Sequence, residues 1–133
     1  MAECKCNCSG TSSCASNAAH GKVYACAGAS NVGKISMDLA IALHTENRYQ
    51  MSCAAGVGAD ICGFTDGAKT EDTMNLLIDG CPVGCLKQMF DNKGISNYDH
   101  IVVTEMGVTK EGVFTYKDGL IQALMMQISE MGL

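Results

Sequence analysis

The sequence contains no apolar stretch near the roughly 20 residues that a transmembrane helix needs, which argues against a helical membrane span. It also lacks an excess of positive charge, with 9 Lys and Arg against 14 Asp and Glu and a net charge of −5. That balance disfavours binding to nucleic acid or to an anionic membrane. The N-terminus lacks the apolar core of a signal peptide, since polar residues and cysteines take its place. We therefore expect a cytoplasmic protein with neither a membrane nor a nucleic acid partner.

Cysteine, by contrast, is abundant, with nine residues in a chain of 133. A chain of this length is expected to form one domain, since domains of roughly 100–150 residues are the most common. The hydrophobic fraction of 47% fits a folded domain and disfavours disorder. In a reducing compartment, cysteines more often bind metal or perform redox chemistry than form disulfides. Metal binding is our first hypothesis, and thiol chemistry without metal or inert packing of small cysteines are the alternatives.

Two regions differ in composition. Residues 1–20 are rich in Ser, Asn, Gly, Ala and Cys without apolar periodicity, so we interpret them as a cysteine-rich N-terminal arm. Residues 21–133 alternate short apolar runs with helical patterns, which predicts a single α/β metal-binding domain. Such alternation indicates parallel strands joined by right-handed crossovers. We predict a small doubly wound, mainly parallel four-stranded sheet in the order 2-1-3-4, with flanking helices.

The elements of that fold follow from local patterns. Short apolar runs that end in glycine predict strands, and apolar residues at helical spacing predict helices. The predicted strands are residues 23–26, 51–55, 76–79 and 100–105. The predicted helices are residues 33–44, 82–92 and 118–131, with one short helix within 59–73. Pro82 suits a first helical turn, and Asp118 is the expected cap of the last helix.

Four cysteines lie where the predicted strands end. Cys26 ends the first strand, Cys53 lies near the end of the second, Cys81 follows the third, and Cys85 comes four residues later. In a parallel sheet these strand ends share the C-terminal edge, where open α/β sheets bind ligands. On one helix, Cys81 and Cys85 would also share a face. We therefore predict that these four thiolates hold one zinc ion in tetrahedral geometry.

The N-terminal arm carries four further cysteines, which are Cys4, Cys6, Cys8 and Cys14. Closely spaced thiols of this kind can serve one metal ion, or two ions that share sulfurs. The arm therefore either forms a metal site of its own or lends thiols to the site of the domain. A third interpretation is an unstructured tail that scavenges metal.

A glycine-rich loop precedes the first predicted helix. Residues 28–34 have the glycine and lysine spacing of a phosphate-binding loop between a strand and a helix. The next residue should be Ser or Thr to bind magnesium, but it is Ile35, so nucleotide hydrolysis is disfavoured. A simple anion site, with Ser30, Asn31 and the start of the helix as donors, stays open as an alternative.

Four segments of the sequence, taken together, resemble the DGC-domain family. They are Cys26–Gly33, Cys53–Gly58, Asp79–Cys85 and Asp99–Val108. The resemblance spans about residues 22–110, and members of this family are described as zinc-binding through shared cysteines. It implies zinc as the cofactor and Cys26, Cys53, Cys81 and Cys85 as its ligands. It implies no reaction.

Three other functions remain as alternatives. Sulfur ligands also suit an iron–sulfur cluster in place of zinc. Cys26 or Cys81 could instead act as the nucleophile of a redox or group-transfer enzyme. The sequence offers no clear base for it, since Asp79 and Glu105 end strands at the same edge but could equally cap helices or contact metal ligands. The Met-rich last helix, with Met125, Met126 and Met131, could contact a protein partner that the sequence does not identify.

Overall fold

The structure of the chain, a computed structural model, describes residues 21–133. Its four strands are β1 (Lys22–Ala25), β2 (Gln50–Met51), β3 (Asn75–Asp79) and β4 (Tyr98–Val102). Its α-helices are α1 (Asn31–Thr45), α2 (Ala54–Gly58), α3 (Cys62–Lys69), α4 (Cys85–Asn92) and α5 (Leu120–Glu130). A 3₁₀ turn, Val103–Met106, follows β4. The N-terminal arm, residues 1–20, lies outside the described residues.

All four strands are parallel, and they pair in the order β2-β1-β3-β4. The predicted α/β class and strand order are therefore confirmed. Side chains alternate between the two faces of the sheet, so Val23 contacts one apolar cluster and Tyr24 the other. The first cluster joins the sheet to α1 and α5, and the second joins it to α2, α3 and α4. The domain is thus a sheet between two helical layers.

The second strand is shorter than predicted. We expected residues 51–55 to be extended, but β2 ends at Met51 and α2 begins at Ala54. The segment after the strand is made of alanine and glycine, which have low β propensity. The Cys53 thiol also accepts a hydrogen bond from the Gly56 backbone N–H at 3.3 Å and caps the helix. Cys53 therefore lies at a helix start rather than inside a strand.

The last helix begins later than predicted. It was expected to start at Asp118, but α5 runs from Leu120, and its cap position is Gly119 with a φ of 83°. That left-handed backbone suits glycine and places Asp118 outside the helix, where its side chain makes no capping hydrogen bond. None of the helices in residues 21–133 combines the length and apolar character needed to span a membrane.

Candidate functional site

Three strands bring a cysteine to the C-terminal edge of the sheet. Cys26 directly follows β1, and its backbone N–H donates to the Ile78 carbonyl of β3 at 2.9 Å. Cys53 lies two residues after β2, and Cys81 lies two residues after β3. Parallel strands end on the same side of a sheet, so the edge is the one expected from the sequence.

Cys26 is partly buried in the loop between β1 and α1. A Cβ atom added at Gly28 would lie 3.4 Å from its Sγ atom, so the loop passes directly over the thiol. Exposure of this sulfur therefore depends on the conformation of the glycine-containing loop.

Cys53 is exposed at the start of α2, where it lies close to the hydroxyl of Tyr24. Burial raises the pKa of the Tyr24 phenol; the neighbouring Ser52 side chain opposes that rise, and Cys53 adds to it. The contact with Ser52 falls outside hydrogen-bond geometry, so the buried Tyr24 hydroxyl has no hydrogen-bond partner within residues 21–133. This end of β2 therefore combines an accessible thiol with an unsatisfied hydroxyl.

Cys81 is partly buried and packs against the apolar cluster on the α1 and α5 side of the sheet. The Lys110 ammonium donates to its Sγ atom at 3.5 Å. The two residues are far apart in sequence, and no local pattern signals the pair. A lysine beside this thiol provides positive charge at the edge of the sheet.

Cys85 is the exposed first residue of α4 and lines a shallow groove with Val83, Gln88 and Met89. We expected Cys81 and Cys85 to share a helical face, and that expectation is wrong. The Gly84 N–H bonds to the Cys81 carbonyl at 3.1 Å in a turn, and Gly84 adopts a left-handed φ of 62°. Cys81 and Pro82 therefore precede the helix.

The described residues do not by themselves form a metal cage. In the stretch from Gly21 to Leu133, no three Cys, His, Asp or Glu side chains are close enough to hold one ion. Cys26, Cys53, Cys81 and Cys85 share an edge of the domain, but not a common point. The arm cysteines Cys4, Cys6, Cys8 and Cys14 lie outside the described residues.

Asp79, the last residue of β3, links three elements. Its side chain is 1% exposed, and its two carboxylate oxygens accept from the backbone N–H groups of Leu86 at 3.0 Å and Lys87 at 3.1 Å. The ring of His100 on β4 lies 2.8 Å from the same carboxylate, measured from Nε2. Asp79 therefore caps α4 from a neighbouring strand and joins that helix to β4. Its capping role was one of the interpretations open from the sequence, but the partner His100 was missed.

The backbone donors at the start of α1, after the glycine-rich loop, are occupied by protein acceptors. The N–H of Asn31 donates to the Glu111 carbonyl at 3.1 Å, and that of Val32 donates to the Asn31 side chain at 2.8 Å. Gly33 donates to the Ser30 hydroxyl at 3.3 Å. Protein acceptors therefore take the donors that a phosphate would need.

Lys34, the lysine of this loop motif, is also engaged elsewhere. Its ammonium pairs with Asp38 one turn along α1 at 2.5 Å, and it lies 5.3 Å from the centre of the Tyr116 ring. A phosphate-binding lysine would have to point back toward the loop. The motif is therefore the tight connection of β1 to α1, and the anion site considered from the sequence has no support in this geometry.

Comparison with known proteins gives a family. The family model described as "DGC domain" matches residues 22–128. The chain is also 36% identical over 88 residues to the "Anaerobic and virulence modulator AnvM" of Pseudomonas aeruginosa strain PAO1. That match covers 66% of this chain and 66% of the relative, a little under two thirds of its length. No solved structure matches the chain. The chain belongs to the DGC-domain family.

Proposed function

We propose that this protein binds a soft metal ion, with zinc as the first candidate, through cysteine thiolates at the C-terminal edge of its sheet. The observation that carries the proposal is the placement of Cys26, Cys53 and Cys81 after three neighbouring parallel strands. Membership of the DGC-domain family, whose members are described as zinc-binding, supports the same chemistry. Thiolate sulfur is a preferred ligand of zinc.

Charge also supports a thiolate site at this edge. Several thiolates around one divalent ion leave a net negative charge, which nearby cations offset. The Lys110 ammonium, 3.5 Å from the sulfur of Cys81, is suitably placed to do so. The sulfur of Cys53 accepts an N–H from the backbone of Gly56, and such outer contacts orient a ligand.

Complete coordination needs more than the described residues supply, because no three suitable side chains are close together within 21–133. We therefore assign the missing ligands to cysteines of the arm, of which Cys14 is the nearest in sequence. Eight residue-to-residue steps separate Cys14 from Lys22, and they can extend by at most about 28 Å. The path along β1 from Lys22 to Cys26 takes only about 13 Å. The length of the chain therefore permits arm and edge cysteines to share one ion.

The test is elemental analysis of the full chain purified without a metal-affinity tag. The wild-type protein should carry zinc in stoichiometric amount. Replacing Cys81 by serine should remove most of it, because one sulfur ligand is lost. Replacing all four arm cysteines by serine should do the same, which would distinguish a shared site from an edge site.

Cys62→Ser is the matched control, since Cys62 is the first residue of α3 and does not follow a strand, and it should retain zinc. Full zinc content in a protein that lacks Cys26, Cys53, Cys81 and Cys85 would overturn the edge site. Zinc retained by the four-serine arm variant but lost in Cys81→Ser would confine the site to the edge.

A second candidate function rests on the contact between Cys81 and Lys110. A thiol beside an ammonium can act in redox or group-transfer chemistry. Iodoacetamide labelling of metal-free protein distinguishes this function, because an enzyme nucleophile should react much faster than the other cysteines. Brown protein containing iron would instead indicate an iron–sulfur cluster.

A further inference from the structure

A cleft opens beside β2, at the free edge of the sheet. It has a volume of about 760 Å³, within the range of small-molecule sites. One wall comes from α1, and the opposite wall comes from α2 and α3. Its lining includes Lys22, Met37, Met51, Cys53 and Phe64.

Lys22 has no carboxylate partner among residues 21–133. Its side chain is partly buried and its ammonium lies against the backbone of α3 at Gly67. None of the ion pairs within residues 21–133 includes it. Burial lowers the pKa of Lys22, and no carboxylate in this part of the chain offsets that effect. The charge of a partly buried lysine in such a position is stabilised when an anion binds beside it.

The rest of the cleft is mainly apolar. Met37 of α1 and Met51 of β2 line it, and the ring of Phe64, 38% exposed, lines the α3 side. Methionine side chains adapt to ligands of different shape. An anion bound to Lys22 would therefore place its remaining atoms against thioethers and an aromatic ring.

An added peptide strand is a poorer occupant of this edge. The Met51 N–H points away from β1 and donates to Nδ1 of His44 at 3.1 Å. A peptide that extends the sheet would need that donor. The edge therefore favours a small molecule over a strand.

We propose that this cleft binds a carboxylate with a linear apolar chain, with its head group on Lys22 and its chain along Met37, Met51 and Phe64. The proposal does not rest on metal binding, since Lys22, Met37, Met51 and Phe64 are not proposed ligands. Cys53, which is a proposed ligand, also lines the cleft. Complementarity of charge and of apolar surface together select this class: an amine is repelled by Lys22, and a small anion leaves the apolar wall uncovered.

The test is a titration of the full-length protein, labelled with ¹³C in its methionine methyl groups, with octanoate. The Met37 and Met51 signals should shift, whereas those of Met126 and Met131, which are exposed on and after α5, should not. Octylammonium and acetate are the matched probes for charge and chain, and neither should reproduce the shifts. Lys22→Gln should weaken octanoate binding by about tenfold, the loss expected for one charge-assisted contact.

Lys34→Gln is the matched lysine control, because Lys34 is paired with Asp38 outside the cleft, and it should bind octanoate like the wild type. Three results would overturn the proposal: no shift at Met37 and Met51, equal binding of octylammonium, or unchanged affinity in Lys22→Gln. Because Cys53 lines the same cleft, the titration is run on the protein as purified and again after metal removal, so that failure here is distinguishable from failure of the metal site.

Discussion

The loops that follow β1 and β2 leave the same edge of the sheet, but they are built in different ways. After β1, the backbone donors at the start of α1 are satisfied by Ser30, Asn31 and the carbonyl of Glu111. After β2, Cys53 is exposed, the Tyr24 hydroxyl has no hydrogen-bond partner among residues 21–133, and a cleft lies alongside. The comparison shows that the loop after β1, which has the spacing of a phosphate-binding motif, is closed because protein acceptors occupy the donors at its helix. The loop after β2, which has no such motif, is accessible.

The largest expected effect is in the closed loop, at Gly33. A Cβ atom there would collide with the backbone carbonyl of Gly28, which cannot move aside as a side chain could. Gly33→Ala should lower the free energy of unfolding by about 3 kcal/mol, measured by urea denaturation. Gly112→Ala is the control, because a Cβ at that position meets nothing within 4 Å. Equal stability of the two variants would mean that the loop is not tightly packed.

A smaller effect is expected at Tyr116, which fastens the segment after β4 to α1 through a 2.6 Å hydrogen bond to Asp38. Burial and this bond to a carboxylate raise the pKa of Tyr116 to about 12. The tyrosine therefore stabilises the fold fully below its usual pKa near 10, and that contribution is lost as the pH rises toward 12.

Tyr116→Phe should cost about 1 kcal/mol of unfolding free energy at neutral pH, the usual value of one hydrogen bond. Its unfolding free energy should then fall less steeply than that of the wild type between pH 10 and pH 12. Urea denaturation across that pH range is the measurement. Parallel curves for the two proteins would show that Tyr116 does not carry the pH dependence.

The smallest effect is expected in the accessible loop, at Cys53. Serine is a better helix cap than cysteine and can accept the same N–H from Gly56. Cys53→Ser should therefore change the free energy of unfolding by less than about 0.5 kcal/mol. A loss of zinc in this variant would then report a lost ligand rather than unfolding. Strong destabilisation would mean that this loop is as constrained as the one after β1.

The fold was largely predictable because its signals are local. Apolar runs that end in glycine mark β1 and β3, and the alternation of strands with helices predicted the parallel pairing. The order 2-1-3-4, one of several that such a pattern allows, is the observed one. The errors arise where one backbone angle decides the outcome. The left-handed conformation of Gly84 starts α4 at Cys85, so the four-residue spacing from Cys81 does not place the two thiols on one helix.

The site was less predictable because its contacts join distant parts of the chain. The pairs formed by Cys81 with Lys110 and by Asp79 with His100 depend on the packing of the folded domain. Lys22 could not be recognised from the sequence either, since only the folded domain shows that α3 covers it and that no carboxylate within the described part of the chain pairs with it. The predicted topology gave the edge of the sheet at which the cysteines lie, but it could not give the distances between their sulfur atoms.

The carboxylate of Asp79 has a further consequence for the segment Asp79-Gly80-Cys81. It is the last residue of a central strand, and Cys81 follows it by two positions. The same side chain accepts hydrogen bonds from the start of α4 and contacts the ring of His100 on the edge strand. Because Cys81 is only two residues from this carboxylate, we expect metal binding at the Cys81 thiol to change the NMR signals of the His100 ring on the edge strand.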